Sequence, residues 1–197
     1  PGNIGYGPKV RGADQGVASD AMEMLVKITN QTVSEPQLAT SWDISPDGMT
    51  YTFNLRKGVK FHDGTDSDAQ AAKFNLDFWL NAKGTTMRSL KSVEIIDKNT
   101  IRVELKQYDP LFLFDLASEP FMMSPASAEK MGKKAAESHP VGTGPFKFKS
   151  FERNVSVTYE RNENYWDKGK PYLDNLVYMA IVNNMTQRSA LRAGEID

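Results

Sequence analysis

His62 and His139 are the only histidines among 197 residues, and there is no cysteine. Disulfides, thiolate metal sites and a cysteine nucleophile are therefore excluded from this sequence. His62 stands beside Asp63, a pairing with metal-ligating chemistry, but neighbouring strand residues point to opposite faces and do not easily close on one ion. The expected role of His62 is to stabilise a turn, and His139, before Pro140, sits at the entrance to a strand. Serine, histidine and aspartate are all present, yet neither a nucleophile elbow nor an H-E-x-x-H spacing occurs, so no enzyme is expected. Gly142-Thr143-Gly144 offers amides of the kind that hold anions. It lacks the third glycine and the Lys-Ser/Thr ending of a phosphate loop, and reads as a tight turn. Trp166, between Tyr165 and Asp167, reads as a packing aromatic. Neither a metal nor a cofactor is expected.

These residues need elements to hold them. The stretch from 38 to 64, LATSWDISPDGMTYTFNLRKGVKFHDG, contains two apolar-alternating runs around Pro46-Asp47-Gly48. The Asp-Gly pair supplies the left-handed backbone that a tight hairpin demands. Tyr51, Phe53 and Leu55 fall on one face, and Thr50, Thr52, Asn54 and Arg56 on the other, as in a half-buried strand. Val59 and Phe61 continue the pattern. Asp63-Gly64 turns the chain, and Thr65 or Ser67 is placed to cap a helix over about 68 to 81, with Ala71, Phe74 and Phe78 on one face and Trp79 beside them. SVEII and TIRVEL, joined by Asp97-Lys98-Asn99, form a second hairpin.

Ile4 and Tyr6 alternate in a glycine-rich first strand, and residues 9 to 19 are small and polar. Ala21, Met22, Leu25, Val26 and Ile28 have the spacing of an apolar helical stripe, followed by a loop from Asn30 to Pro36. Pro110 starts a short apolar helix expected to be buried or to lie under a loop. Residues 126 to 138 form an amphipathic helix whose Lys130, Lys133 and Lys134 are a solvated face. Phe146 and Phe148, then Val155, Val157 and Tyr159, mark two strands. Leu176 to Val182, more continuously apolar, reads as an interior strand. Asn184 caps a last helix that Gly194 ends.

Hydrophobic residues make up 40% and charged residues 25%, ordinary globular values. A formal charge of -1 gives no footprint for nucleic acid or an anionic membrane. No apolar run approaches the roughly 20 residues needed to span a bilayer, and the chain opens on Pro1-Gly2-Asn3 without a basic and apolar leader, so a soluble chain is expected.

The stretch from 38 to 65 closely resembles the signature region of the family 5 extracellular solute-binding proteins, the receptors of peptide and nickel ABC importers. Three further stretches resemble the same family in the same order: HPVGTGPFKFKSF at 139 to 151, ERNENYWDKGKPYLDNLVY at 160 to 178, and RSALRAGEID at 188 to 197. Four ordered matches are far more specific than any one. The resemblance implies a mixed α/β (α+β) fold of the type II periplasmic-binding-protein kind, with the chain a fragment comprising most of lobe I. It assigns 1–30 and 138–197 to the core part of that lobe and 31–137 to an inserted β-rich subdomain, with lobe II absent.

By the same resemblance the function is capture of a solute, a di- or oligopeptide first, and its delivery to ABC permease subunits. Nickel-chelate, opine and sugar receptors of the family are alternatives. So is a sensory or interaction module built on a solute-binding lobe, with a hydrolase a distant third. Export to the periplasmic or extracellular face of the bacterial cytoplasmic membrane is implied, in many members with a lipid-modified cysteine. Where members line the interlobe groove, this chain has Gly12, Ala13, Asp14, Gln15 and Gly16; Thr86, Met87 and Arg88; and Glu119, Phe121 and Met122. Small residues let a ligand backbone approach, methionines give adaptable walls, and Arg88 or Glu119 can pair a terminal charge.

Overall fold

The computed structural model describes residues 13–29, 33–81, 87–132, 136 and 138–197. Strands β3 (Ala39–Ile44) and β4 (Thr50–Leu55) form the hairpin expected around Pro46-Asp47-Gly48. Gly48 takes φ of 69° and donates to the Ser45 carbonyl at 2.8 Å, while the Asp47 carboxylate accepts from the Met49 amide at 3.0 Å. The second hairpin, β5 (Leu90–Asp97) and β6 (Thr100–Leu105), joins it in an antiparallel sheet of order β3-β4-β6-β5. Tyr51, Phe53 and Leu55 of β4 face the same way as Ile101, Val103 and Leu105 of β6, and all six are buried.

Helix α2 (Ala69–Asn81) covers that face, burying Ala72, Leu76 and Trp79. Neither Thr65 nor Ser67 caps it. The Asp68 carboxylate does, accepting from the amides of Gln70 at 3.0 Å and Ala71 at 3.2 Å, while Thr65 is held by Asp63 in the preceding turn. Helix α3 (Phe112–Leu116) buries Phe112 and Leu116 in the same core but leaves Leu111 and Phe114 exposed, so its apolar surface is only half covered.

Residues 21–28 do not form the expected helix. The helix here is α1 (Ala13–Ala18), and the apolar run after it is extended, ending in β1 (Val26–Thr29), which pairs with β2 (Val33–Pro36) where a loop was expected. Every helix carbonyl bonds the amide four residues on, but these carbonyls are taken by distant partners. Asp20 accepts from Phe146, Ala21 from Gly144, Glu23 from Met122, Met24 from Leu38, and Leu25 from Ala39.

The second sheet, β7 (Phe146–Glu152), β8 (Ser156–Arg161) and β9 (Asn175–Met179), is antiparallel in that order. With α1 it encloses a second core that includes Met22, Met123, Val157 and Tyr159, and the Tyr159 hydroxyl donates to the Val17 carbonyl at 2.9 Å. Among the described residues, β9 is an edge of its sheet and not the interior strand expected. Leu176 and Tyr178 turn toward the core, whereas Val177 and Met179 are 52% and 56% exposed. Helix α4 (Pro125–Met131) is shorter than expected and is capped by Ser124. Helix α5 (Asn184–Ala193) is capped by Asn183, one residue before the expected Asn184, and ends at Gly194 with φ of 71°. The strand expected at Ile4 and Tyr6, and Lys133 and Lys134, lie outside the described residues.

Among the described residues, two of the segments along which the cores meet are 121–123 and 142–146. Residues 121–123 place Met122 in the first and Phe121 and Met123 in the second. Residues 142–146 lie against 20–22 so closely that a Cβ on Gly142 would stand 2.2 Å from the Ala21 carbonyl oxygen, and one on Gly144 2.5 Å from that of Asp20. The two glycines are needed for this close approach of two backbones, and the segment bends here where a tight turn was expected.

Candidate functional site

Glu23 is the most buried carboxylate at the seam, 3% exposed. Its Oε2 accepts from the Thr143 hydroxyl and the Trp166 indole N–H, both at 2.8 Å, and its Oε1 from the Tyr165 hydroxyl at 2.8 Å and the Gln37 amide at 3.5 Å. Burial raises its carboxyl above the ordinary range, and the donors of Trp166, Thr143, Tyr165 and Gln37 oppose that rise. Trp166 also carries Arg56, whose guanidinium lies 4.0 Å from the ring centroid. Beside this group opens a hollow of about 380 Å³ bordered by Lys27, Phe146, Trp166 and Tyr172.

His62 holds the same seam together. Its backbone amide donates to the Gly142 carbonyl at 2.8 Å, and its Nε2 meets the Gly144 carbonyl at 3.0 Å, which requires the Nε2–H form. Burial lowers the imidazole to about 4, and Nδ1 has no partner among the described residues. Asp63 turns the other way, to the hydroxyls of Ser124 at 2.5 Å and Thr65 at 2.6 Å. His139 is exposed, edge-on to Phe148 with ring centroids 5.2 Å apart.

A second hollow, of about 530 Å³, lies where the end of β6 meets the start of α3, bordered by Arg88, Ser89, Lys106, Tyr108, Asp109 and Asp115. Asp115 is pushed up to about 6, first by burial and then by the charges of Asp109 and Glu119, with Arg88 acting in the opposite direction. Two of the sequence candidates, Arg88 and Glu119, thus act on one carboxyl that sequence reasoning passed over.

The other candidates are dispersed. Gly12 and Thr86 lie outside the described residues. Ala13, Asp14, Gln15 and Gly16 fall in α1, and Gly16 faces open space. Met87, Phe121 and Met122 are core residues, 2%, 5% and 2% exposed. Glu23 and Asp115 carried a sequence signal of the same kind: each is a lone acid inside an apolar run, AMEMLV and LFLFDL.

The description "Bacterial extracellular solute-binding proteins, family 5 Middle" matches residues 34–197. The chain belongs to that family. Among family 5 relatives, the glutathione-binding protein GsiB of Escherichia coli is 35% identical over 187 residues, covering 92% of this chain and 36% of that protein. The solved structure of the periplasmic binding protein DppA from Helicobacter pylori, in complex with peptide STSA, is 32% identical with a TM-score of 0.81, covering 94% of this chain and 42% of that one. NikZ from Campylobacter jejuni, in complex with Ni(L-His), is 27% identical with a TM-score of 0.87, covering 99% and 40%. The chain therefore spans about 36% of the length of the curated relative.

The fold is accordingly the mixed α/β one of type II periplasmic binding proteins, covering part of the neighbours' length. Within this family 5 chain, three of the four stretches that carry the sequence resemblance meet at the seam. The 38–65 stretch brings His62, HPVGTGPF brings Gly142, Thr143 and Gly144, and ERNENYW brings Tyr165 and Trp166. Their wording thus reflects how the two cores are joined. Among the described residues no helix is long and apolar enough to cross a membrane.

Proposed function

We propose that the protein captures a solute, with di- or oligopeptides the leading class, and delivers it to the permease of an ABC importer from the periplasmic or extracellular face of the bacterial membrane. The observation that carries this is similarity over more than nine-tenths of the chain to binding proteins whose names or structures include glutathione, a tetrapeptide and a nickel chelate. The solute lies between this lobe, with 1–30 and 138–197 as its core part and 31–137 as an inserted subdomain, and a second lobe of the same polypeptide. Closure about a hinge buries it. Among the described residues, Gly16, Arg88 and Glu119 mark this lobe's side of the groove, whereas Met87, Phe121 and Met122 support it from the core. Catalysis has no part in this role.

The apolar surface left by β9 and α5 supports a second body packing here: Val182 is 95%, Met185 71% and Leu191 57% exposed. Thermal melting with glutathione, di- and tetrapeptides and nickel-histidine tests the proposal. A peptide-class ligand raises the Tm of the full-length protein by a few degrees and that of the 197-residue chain by less, because half of the enclosure is lacking. No shift with any of these ligands, or equal shifts in both proteins, overturns it.

A further inference from the structure

The hollow between β6 and α3 has two features that the fold leaves unused. Ser89 borders it at 5% exposure, and its Oγ has no hydrogen-bond partner among the described residues. Buried hydroxyls without a partner are rare, because desolvation is then uncompensated. Independently, two carboxyls border the same hollow. That of Asp109 accepts from the Leu111 amide at 3.0 Å, whereas Asp115 is acted on by burial and neighbouring charge with no hydrogen bond among the causes. Among the described residues, the charges that act on Asp115 are those of the acids Asp109 and Glu119 and of the cation Arg88. Lys106, which also borders the hollow, directs its Nζ to the Arg88 carbonyl at 3.3 Å, and Tyr108 is part of the wall.

A positive charge brought to Asp115 removes the repulsion among these acids, and a polar atom beside it satisfies Ser89. We propose that this hollow binds a primary ammonium compound carrying a second hydrogen-bonding group a few bonds away, with Asp115 as counter-ion and the Ser89 hydroxyl as second contact. A volume of about 530 Å³ admits a compound of amino-acid size. The inference rests on the solute-capture reading only for the source of the compound, and the binding itself is independent of it.

The ligand-competent form is the ionised carboxyl, and a group titrating at about 6 is mostly protonated at pH 5 and mostly ionised at pH 7. Apparent affinity scales with the competent fraction, so it rises about tenfold between those values. Equilibrium dialysis of labelled 2-aminoethanol against the full-length protein, with 1,2-ethanediol as the uncharged comparison, measures this. Expected are the tenfold rise, loss of binding in Asp115→Asn, and several-fold weakening in Ser89→Ala with the pH dependence kept. Glu119→Gln moves the midpoint to lower pH, because one of the charges that raises Asp115 is gone. Circular dichroism of each variant establishes that it is folded.

No binding of 2-aminoethanol, pH-independent binding, retention by folded Asp115→Asn, or equal uptake of 1,2-ethanediol overturns the inference. The peptide melting experiment, repeated on Asp115→Asn, keeps the two proposals apart. Peptide response with no 2-aminoethanol binding in the parent protein leaves solute capture standing alone, and the reverse result leaves only the ammonium site.

Discussion

Both sheets are antiparallel and both bury alternate residues, yet they are finished differently. In the first, α2 closes over the faces of β4 and β6, and Phe53, Ile101, Val103 and Leu105 have no exposed area. In the second, one face of β8 is equally closed, with Val157 and Tyr159 fully buried, but β9 ends the sheet with half of each outward apolar residue in solvent. Helix α5 adds little cover, since Ala190 is its one buried residue. Among the described residues the first sheet is covered on its buried face by α2, whereas the second leaves apolar side chains of its last strand in solvent. A strand apolar on both faces but covered on one is expected where a sheet continues or is overlaid.

The sharpest way to break this comparison is to empty the first core. Phe53→Ala removes a ring with no exposed area and is expected to cost about 3–5 kcal/mol in urea unfolding. A loss below about 1 kcal/mol would mean that the sheet and α2 are not one unit.

Next in size is the seam between the regions. His62 titrates near 6.5 when unfolded and at about 4 when folded, so between those values the folded state binds fewer protons. Its contribution, up to about 3 kcal/mol, is present above pH 6.5 and is lost as pH falls to 4. Asp115, raised from 3.8 to about 6, acts oppositely, since the folded state there binds more protons and stability falls as pH rises through that window. The diagnostic quantity is therefore the difference between parent and His62→Gln, in which the glutamine amide replaces the imidazole donor to Gly144. The stability advantage of the parent shrinks between pH 7 and pH 4.5, and an unchanged difference would remove His62 from the acid response.

The smallest effect is expected at the outer edge. Val177→Ser, at a residue 52% exposed, is expected to change the stability of the 197-residue chain by less than about 0.5 kcal/mol. If the full-length protein loses several times more, the edge is covered there; equal small losses would make β9 a true surface strand.

What was legible in the sequence follows the same division. The hairpins around Asp47-Gly48 and Asp97-Lys98-Asn99 are specified by residues a few positions apart, so turn chemistry and period-two alternation place them correctly. Residues 21–28 were misread because apolar spacing there satisfies a helix, while the decision is made by amides of residues 38, 39, 122, 144 and 146 that no local pattern contains. Caps were displaced by one to three positions, to Asp68 and Asn183, since several oxygen-bearing side chains compete near each helix start. Of the site, Arg88 and Glu119 were singled out and Asp115 left a signal as the lone acid of LFLFDL, but Ser89 left none: its significance lies in the partner that its buried hydroxyl lacks among the described residues.

The Glu23 carboxylate has a consequence for the birth of the protein. Its donors arrive from positions 37, 143, 165 and 166, so a nascent chain leaving the ribosome exposes a charged acid amid methionines until more than a hundred further residues have been made. Until then, docking of that extended segment would strand the acid in an apolar medium. The cluster can close only after Trp166 has emerged, so translation order sets the earliest time at which it forms.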